Sequence, residues 1–508
     1  MSQWNQKFKY NLPSTYGYHS EYNPLYLKYL LTSKGFACPE FKHCLEIGCG
    51  HGQSILPHAL TQDCAWMGQE FNPSLLNEAK RTAKKCHIQV DLCSDSLEQL
   101  ASRTDLPKFD LICLHGVWSW VSPQDQELII DIAQKHLNDG GIFYISYNCK
   151  VGLGNFAPIR NLINLYKDHK CQRNLSAEHQ VLEVSKFLFP IIKLNPSFAI
   201  AQQDFGQYMK DAMINPEPFL SDTLNSYWSC DHFADVEKRL DRADLGYVCS
   251  ASGTDNIDAI NLTEKQIAFL APLQGTDMYE ETRDFIVNRR IRNDIFIKGA
   301  VSLSENELLE TVSEQNVILT VHIEDFDYKM VGDNGEVELD RRYYAPLMAV
   351  LNDYQPHNIG QIISAMMQYD ATLDVGLIVD AINTLVFAGL CAPAVKTAKI
   401  NEDITSLNIN IINTFGEHDS VSLCSPVLQG ALTIDPISAR LLRTFVNTPD
   451  CKDKDLIEAL LTSIVQGEIS ITDSEEEVSD AELVAAVNTT VQDFIKVQLP
   501  LLSRLMVL

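Results

Sequence analysis

From His43 to Tyr147, apolar runs alternate with amphipathic stretches. His43–Ile47, Ala65–Glu70, Ile88–Leu92, Phe109–Leu114 and Ile142–Tyr147 read as strands. Gln53–Leu60, Asn72–Lys84 and Gln124–Leu137 read as helices, with a shorter helix over Leu97–Ala101 and a turn at Asn138–Gly141. Strands separated by helices join as parallel neighbours through right-handed crossovers, so the chain is expected to be α/β. That order also fixes where a ligand sits, because in open α/β sheets the cleft lies at the carboxyl ends of the strands. The residues at those ends are the candidates for a site.

The first end is Leu45-Glu46-Ile47-Gly48-Cys49-Gly50-His51-Gly52-Gln53-Ser54. Alternating Gly48, Gly50 and Gly52 let the backbone turn tightly and approach a ligand, with Cys49 between them. The spacing is Glu-x-Gly-x-Gly-x-Gly rather than Gly-x-Gly-x-x-Gly, and no phosphate-loop lysine follows. Glu46 just before the glycines wants a cationic partner. S-adenosylmethionine offers an ammonium there and no phosphate. At the second end Glu70 can accept both hydroxyls of a ribose, with Phe71 beside it. The following helix already has Asn72 as its cap and Pro73 in its first turn. At the third end Asp95 either accepts from an adenine amino group or, with Ser96, starts the next helix. At the fourth end His115-Gly116 faces the reacting groups. His115 is a candidate base or hydrogen-bond donor, or it merely fixes the loop before Gly116. Trp118, Tyr147 and Tyr18 are candidates for the wall of an acceptor channel, and core packing is the competing reading. For Trp120 core packing is preferred.

Charge narrows the partners. The 508 residues carry a formal net charge of −27. Sequence-independent nucleic-acid binding rests on Lys and Arg, so no nucleic-acid partner is expected. Such acidity suits a basic or lysine-bearing protein substrate. No apolar run reaches the roughly 18 residues of a membrane span, and Met1 to Tyr10 has no signal-peptide character, so a cytoplasmic protein without membrane insertion is expected. The 14 Cys form no Cys-x-x-Cys pair, and the 13 His show no spaced pair on a helix, so reduced thiols and no metal are expected.

The Tyr-rich residues 1–36 (Tyr10, Tyr16, Tyr18, Tyr22, Tyr26, Tyr29) precede the first strand and are placed to form a lid, with Pro24 opening a helix to Leu31. Tyr26 and Tyr29 are read as core. Val236–Leu245 is a helix. Tyr247–Ala251 and the edge-like Asn293–Lys298 complete seven strands, giving a domain over 37–300 with a helical insertion at about 160–230. Beyond 300 a repeat with an offset of 95 aligns Gly335–Asp340 with Gly430–Asp435, and Leu347, Val350 and Asn352 with Leu442, Phe445 and Asn447. Each copy reads as a strand and two helices, which predicts two winged-helix-like domains, 301–400 and 401–508. Val375–Leu390 holds no Lys or Arg, so protein recognition or self-association, such as a homodimer, fits better than DNA reading. Glu475-Glu476-Glu477 reads as a solvated loop.

The glycine turn, the acid after the second strand and the seven strands resemble class I S-adenosylmethionine-dependent methyltransferases. His115-Gly116-Val117-Trp118-Ser119-Trp120-Val121 and Ser146-Tyr147-Asn148 are similar, more narrowly, to bacterial methyltransferases that carry a methyltransferase regulatory domain. That group includes rickettsial protein-lysine methyltransferases acting on outer-membrane proteins. The similarity also covers Tyr10 to Pro24 and Pro218–Ala251. Where the family often continues Tyr-Asn with Thr-Tyr-Pro-Gly-Trp, this chain has Cys149-Lys150-Val151-Gly152-Leu153. The resemblance implies a Rossmann-like methyltransferase that releases S-adenosyl-L-homocysteine and methylates protein lysine. A small-molecule or other macromolecular acceptor is the alternative within the enzyme class. A scaffold without turnover is the alternative outside it.

Overall fold

The computed structural model describes residues 17–170, 177–194, 197, 225, 227–323, 326–398, 401–414, 420–448, 450–466 and 480–507. Tyr10 and Tyr16, most of the expected insertion and Glu475–Glu477 lie outside the described residues.

The chain enters through a short helical turn, Ser20–Tyr22, and helix α1, Pro24–Ser33. The Asn23 side chain accepts from the Leu25 N–H, and Pro24 supplies a first-turn residue with no N–H to satisfy. Then follow β1 (His43–Ile47), α2 (Ile55–Thr61), β2 (Ala65–Gln69), α3 (Pro73–Lys85), β3 (Asp91–Cys93), α4 (Leu97–Ser102), β4 (Phe109–Leu114), α5 (Pro123–His136) and β5 (Leu137–Asn148). β6 (Leu245–Ser250) and β7 (Ile291–Lys298) complete a seven-stranded sheet in the order β3-β2-β1-β4-β5-β7-β6. β1 to β5 pair in parallel, and β7 runs antiparallel to both β5 and β6. This is the Rossmann-like sheet expected for a methyltransferase.

Alternation along the strands divides two cores. Cys44, Leu111, Cys113, Ile142, Tyr144, Ile295 and Ile297 face one, which α1, α2 and α3 cover. Leu45, Ile47, Ile112, Leu114, Phe143, Ile145, Tyr147 and Phe296 face the other, against α4 and α5. The first core continues into residues 317–391 through Val317, Leu347, Ile362 and Leu385.

Several boundaries differ from the expectations. The third strand is Asp91–Cys93 rather than Ile88–Leu92, because the Ile88 N–H is taken by Ala83 at the end of α3. Asn138–Gly141 belongs to β5, which breaks register with β4 there instead of turning. The helix expected over Val236–Leu245 runs Phe233–Leu240, and Leu245 opens β6. The last strand is internal, not an edge. Arg292 and Asp294 imitate a solvent-facing alternation, yet they are 4% and 0% exposed and bonded to each other at 2.7 Å. Buried charges that pair are hidden from a polarity pattern.

Beyond the sheet, β8 (Asn316–Leu319) pairs with β11 (His357–Asn358) and β12 (Cys391–Pro393). The two repeat copies each carry a hairpin: β9 (Lys329–Gly332) with β10 (Gly335–Glu338), and β13 (Val421–Ser425) with β14 (Gly430–Ile434). Asp340 and Asp435, equivalent in the repeat, both cap the next helix with a side-chain oxygen, and the matched Leu347 and Leu442 are both fully buried. Among the described residues no helix is long and apolar enough to cross a membrane.

Candidate active site

The turn after β1 is held from β2. Gly48, Gly50 and Gly52 have φ of 77°, 54° and 84°, in the left-handed region that favours glycine. The Gly48 and Cys49 N–H groups donate to the Gln69 carbonyl at 2.7 and 3.1 Å. The Gly50 N–H donates to Glu70 Oε2 at 3.0 Å, and the Asn72 N–H to Glu70 Oε1 at 2.7 Å. Gln69 also donates through Nε2 to the Asp95 carbonyl at 2.7 Å, which ties the third strand end to the first two. Glu46, the glycines, Glu70 and Asp95 therefore share one end of the sheet.

Glu46 is 5% exposed. Its Oε1 accepts from the Tyr22 hydroxyl at 3.0 Å, and its Oε2 has no partner. Burial pushes its pKa up to about 7; the Tyr22 bond opposes the shift and the Glu70 charge adds to it. Burial also raises Glu70, against three backbone N–H groups that hold it down.

The N-terminal segment roofs this end. The His19 N–H donates to Ser54 Oγ at 3.0 Å, and the His19 ring stacks on His115 with centroids 3.6 Å apart. His115 Nδ1 lies 2.7 Å from the Tyr144 hydroxyl, and that hydroxyl lies 3.4 Å from Asn293 Oδ1. The Gly116 N–H donates to Ser146 Oγ. Burial lowers His115 to about 3, with His19 contributing, and lowers His19 to about 4. Both rings are uncharged at neutral pH. The Tyr18 hydroxyl lies 2.9 Å from His58 Nε2.

Two candidates are placed elsewhere. Trp118 is fully buried in the second core, where its Nε1 donates to Asp231 and the Arg239 guanidinium lies 4.7 Å above its ring. Tyr147 donates to Asp294 at 2.8 Å in that same core. Neither lines a channel wall. The period of two along β5 puts Tyr147 with Phe143 and Ile145, and Tyr144 on the opposite face beside His115. Asp95 is bonded to Arg103 at 3.1 Å, and Ser96 caps α4 in a capping box with Gln99. Phe71 is half-buried after β2, and Gly116 is exposed. His19, Gln69 and Tyr144 are not marked in the sequence, and Tyr22 is marked there only as part of a lid. Their roles depend on contacts between distant parts of the chain, for which the sequence carries no local signal.

The residues present fit S-adenosylmethionine. Glu46 offers a buried carboxylate oxygen without a donor, which suits an ammonium. The Glu70 carboxylate, held by backbone N–H groups at the end of β2, is placed to accept from a ribose hydroxyl. No lysine stands where a phosphate would need one. Among the described residues no group of three or more His, Cys, Asp or Glu is arranged to hold a metal ion.

The family model for a methyltransferase domain matches residues 44–141, the stretch from β1 into β5. The chain is a methyltransferase. The model for a predicted methyltransferase regulatory domain matches residues 219–298, which contribute β6 and β7 to the same sheet. An uncharacterized protein of Synechocystis is 26% identical over 99% of this methyltransferase and 99% of its own length. An uncharacterized protein of Rickettsia prowazekii is 24% identical, over 59% of this chain and 54% of that one. Among solved structures, PKMT2 from Rickettsia typhi in complex with AdoHcy superposes with a TM-score of 0.68 at 18% identity, covering 97% of this chain and 100% of that one. The likeness in fold thus runs through the C-terminal repeat as well as the sheet.

The raised Glu46 has a measurable consequence. A ligand ammonium needs the carboxylate, and below about 7 the free site holds the proton instead. S-adenosylhomocysteine affinity is expected to fall as pH drops from 8 to 6, approaching about tenfold per unit below the pKa, with a proton released on binding. Calorimetry in buffers of different ionisation enthalpy checks this. Glu46→Gln should flatten the pH dependence and bind weakly throughout; an unchanged slope would take Glu46 out of the site. The sign for stability is the opposite of that for a salt-bridged acid. With the folded pKa above the unfolded one, burial of Glu46 costs nothing below about 4.5 and costs most above about 7.

Proposed function

We propose that this S-adenosylmethionine-dependent methyltransferase N-methylates lysine side chains of a protein substrate. The observation that carries the reading is the uncharged, roofed end of β4, where His115 lies beneath His19 and beside Tyr144. A lysine must lose its proton before its amine can attack, and a desolvated site favours the neutral amine. The amine would give up its proton to bulk water as it enters the site, and His115, neutral and weakly basic there, would orient it by hydrogen bonding. When bound, S-adenosylmethionine would supply the electrophilic methyl. Glu46 would hold its ammonium, Glu70 would orient its ribose, and the His19–Tyr22 segment would keep water out. Support for a protein acceptor comes from the motif resemblance, the end-to-end likeness in fold to PKMT2 and the net charge of −27, which attracts basic surfaces. The same charge supports an enzyme without a nucleic-acid partner.

The test is transfer of labelled methyl from S-adenosylmethionine to cell lysate, followed by peptide mapping. Label on lysine is expected. Label in the small-molecule fraction alone would replace the protein acceptor. Absence of both transfer and S-adenosylhomocysteine binding would leave a scaffold. His115→Ala should spare cofactor binding and lower kcat by about a hundredfold. Unchanged turnover would remove His115 from the reaction.

A further inference from the structure

The roof over the site is attached to the far end of the chain. Asn23 Nδ2 lies 2.9 Å from the Tyr18 hydroxyl, 3.2 Å from the Leu428 carbonyl and 3.3 Å from the Gln429 carbonyl. The Gln429 carbonyl also accepts from Gln62 Nε2 at 2.7 Å, at the end of α2. These carbonyls belong to the turn between β13 and β14. The turn closes on Gly430, where a built Cβ would overlap Tyr18 Oη and Asn23 Nδ2. One residue before Asn23, Tyr22 reaches Glu46.

Glu46 and Glu70 are 5% and 4% exposed, so a ligand the size of S-adenosylmethionine reaches them only if the roof moves. The contacts of Tyr22 with Glu46 and of His19 with His115 face the cleft, and these side chains would rearrange around a ligand while the segment stays over it. The contacts of Tyr18 and Asn23 with the hairpin involve neither Glu46 nor His115 and would be kept. We propose that the β13–β14 turn is a positioning part of the cofactor site: by gripping Tyr18 and Asn23 it holds the His19–Tyr22 roof closed and slows the departure of S-adenosylhomocysteine. This rests on the cofactor reading above. It gives the C-terminal repeat a role in turnover, since whatever moves that hairpin moves the roof.

Asn23 allows a clean separation of roles. Its Oδ1 caps α1 and its Nδ2 grips the turn. Asn23→Asp keeps the cap and sets a carboxylate against two carbonyls. Gly430→Ala pushes from the other side with its Cβ. Full-length protein is loaded with S-adenosylhomocysteine, and dissociation is followed by stopped-flow tryptophan emission; Trp66 stacks on His58 directly beside Tyr18. Both variants should release ligand about tenfold faster and raise KM for S-adenosylmethionine by a similar factor, with kcat held or increased. Thr433→Ala, on the exposed face of the same hairpin, should match wild type. If Asn23→Asp fails to fold, Gly430→Ala carries the comparison. Wild-type release rates in folded variants would overturn the proposal. A wild-type protein that binds no S-adenosylhomocysteine would overturn the cofactor reading itself, a result readily told apart.

Discussion

Gly48→Val is expected to abolish S-adenosylhomocysteine binding, weakening it by at least about a hundredfold, while the protein stays folded. Two effects combine at this residue. Its φ of 77° costs a β-branched residue about 1–2 kcal/mol. Its Cβ would stand 2.5 Å from Val117 Cγ2, so the turn or the loop after β4 must shift. Either shift disturbs the bonds from the Gly48 and Cys49 N–H groups to Gln69 and opens the cleft geometry that Glu46 and Glu70 share. Gly35→Ala is the matched control. It has a φ of 79°, nothing within 4 Å of its Cβ, and a position at the opposite end of α1 from the roof. It should lower stability by about 1 kcal/mol and leave binding intact. Calorimetric titration of the two variants decides the matter: wild-type affinity in Gly48→Val would show that the ligand does not sit at this turn.

Arg292→Met is expected to produce the largest loss of stability, about 3–5 kcal/mol. Arg292 is 4% exposed and bonds Glu280 at 2.8 Å, Asp284 at 2.8 Å and Asp294 at 2.7 Å, with its guanidinium 4.4 Å over the Phe233 ring. Removing it leaves three carboxylates in a poorly hydrated region between β7 and the helix Asp277–Val287. Burial already holds Asp294 up at about 6 and raises Asp284, with the arginine pulling both down. Without the arginine their folded pKa values climb further above the unfolded ones. The penalty therefore grows as pH rises and is relieved by protonation on the acid side. Urea unfolding at pH 5.5 and pH 8 should show the smaller loss at the lower pH. A loss that is equal at both would mean that the carboxylates find other partners.

The parts of the site that were legible in the sequence are those built by short stretches of chain. The glycine turn, Glu46 and Glu70 are marked by local chemistry that a parallel sheet needs at its strand ends, and the structure brings them together as a sheet of that order must. Tyr147 illustrates the limit. The strand was legible, but Tyr147 and Tyr144 are three residues apart on a period of two, so they face opposite cores, and composition does not say which face meets the cleft. β7 misleads for a related reason: Arg292 and Asp294 pair with each other while buried in the sheet, and polarity alone reads that as exposure. The repeat was legible through Asp340 and Asp435, because a helix cap is a local requirement and both copies meet it in the same way. The grip of Leu428 and Gln429 on Asn23 was not legible, because nothing near either partner announces a contact across some four hundred residues.

The first core has a further consequence. Helix α1 lies between the sheet face and residues 317–391: Leu27, Leu30 and Leu31 are fully buried, Tyr29 donates to Asn383 at 2.7 Å, and Tyr26 donates to the Ala251 carbonyl. It has almost no side left for water. A chain ended near residue 300 would strip an apolar flank from the helix that immediately follows the roof, and the exposed surface would favour clumping over catalysis. The half that carries the chemistry is therefore not a portable enzyme. Heating should melt the sheet and residues 317–391 together, as one cooperative block.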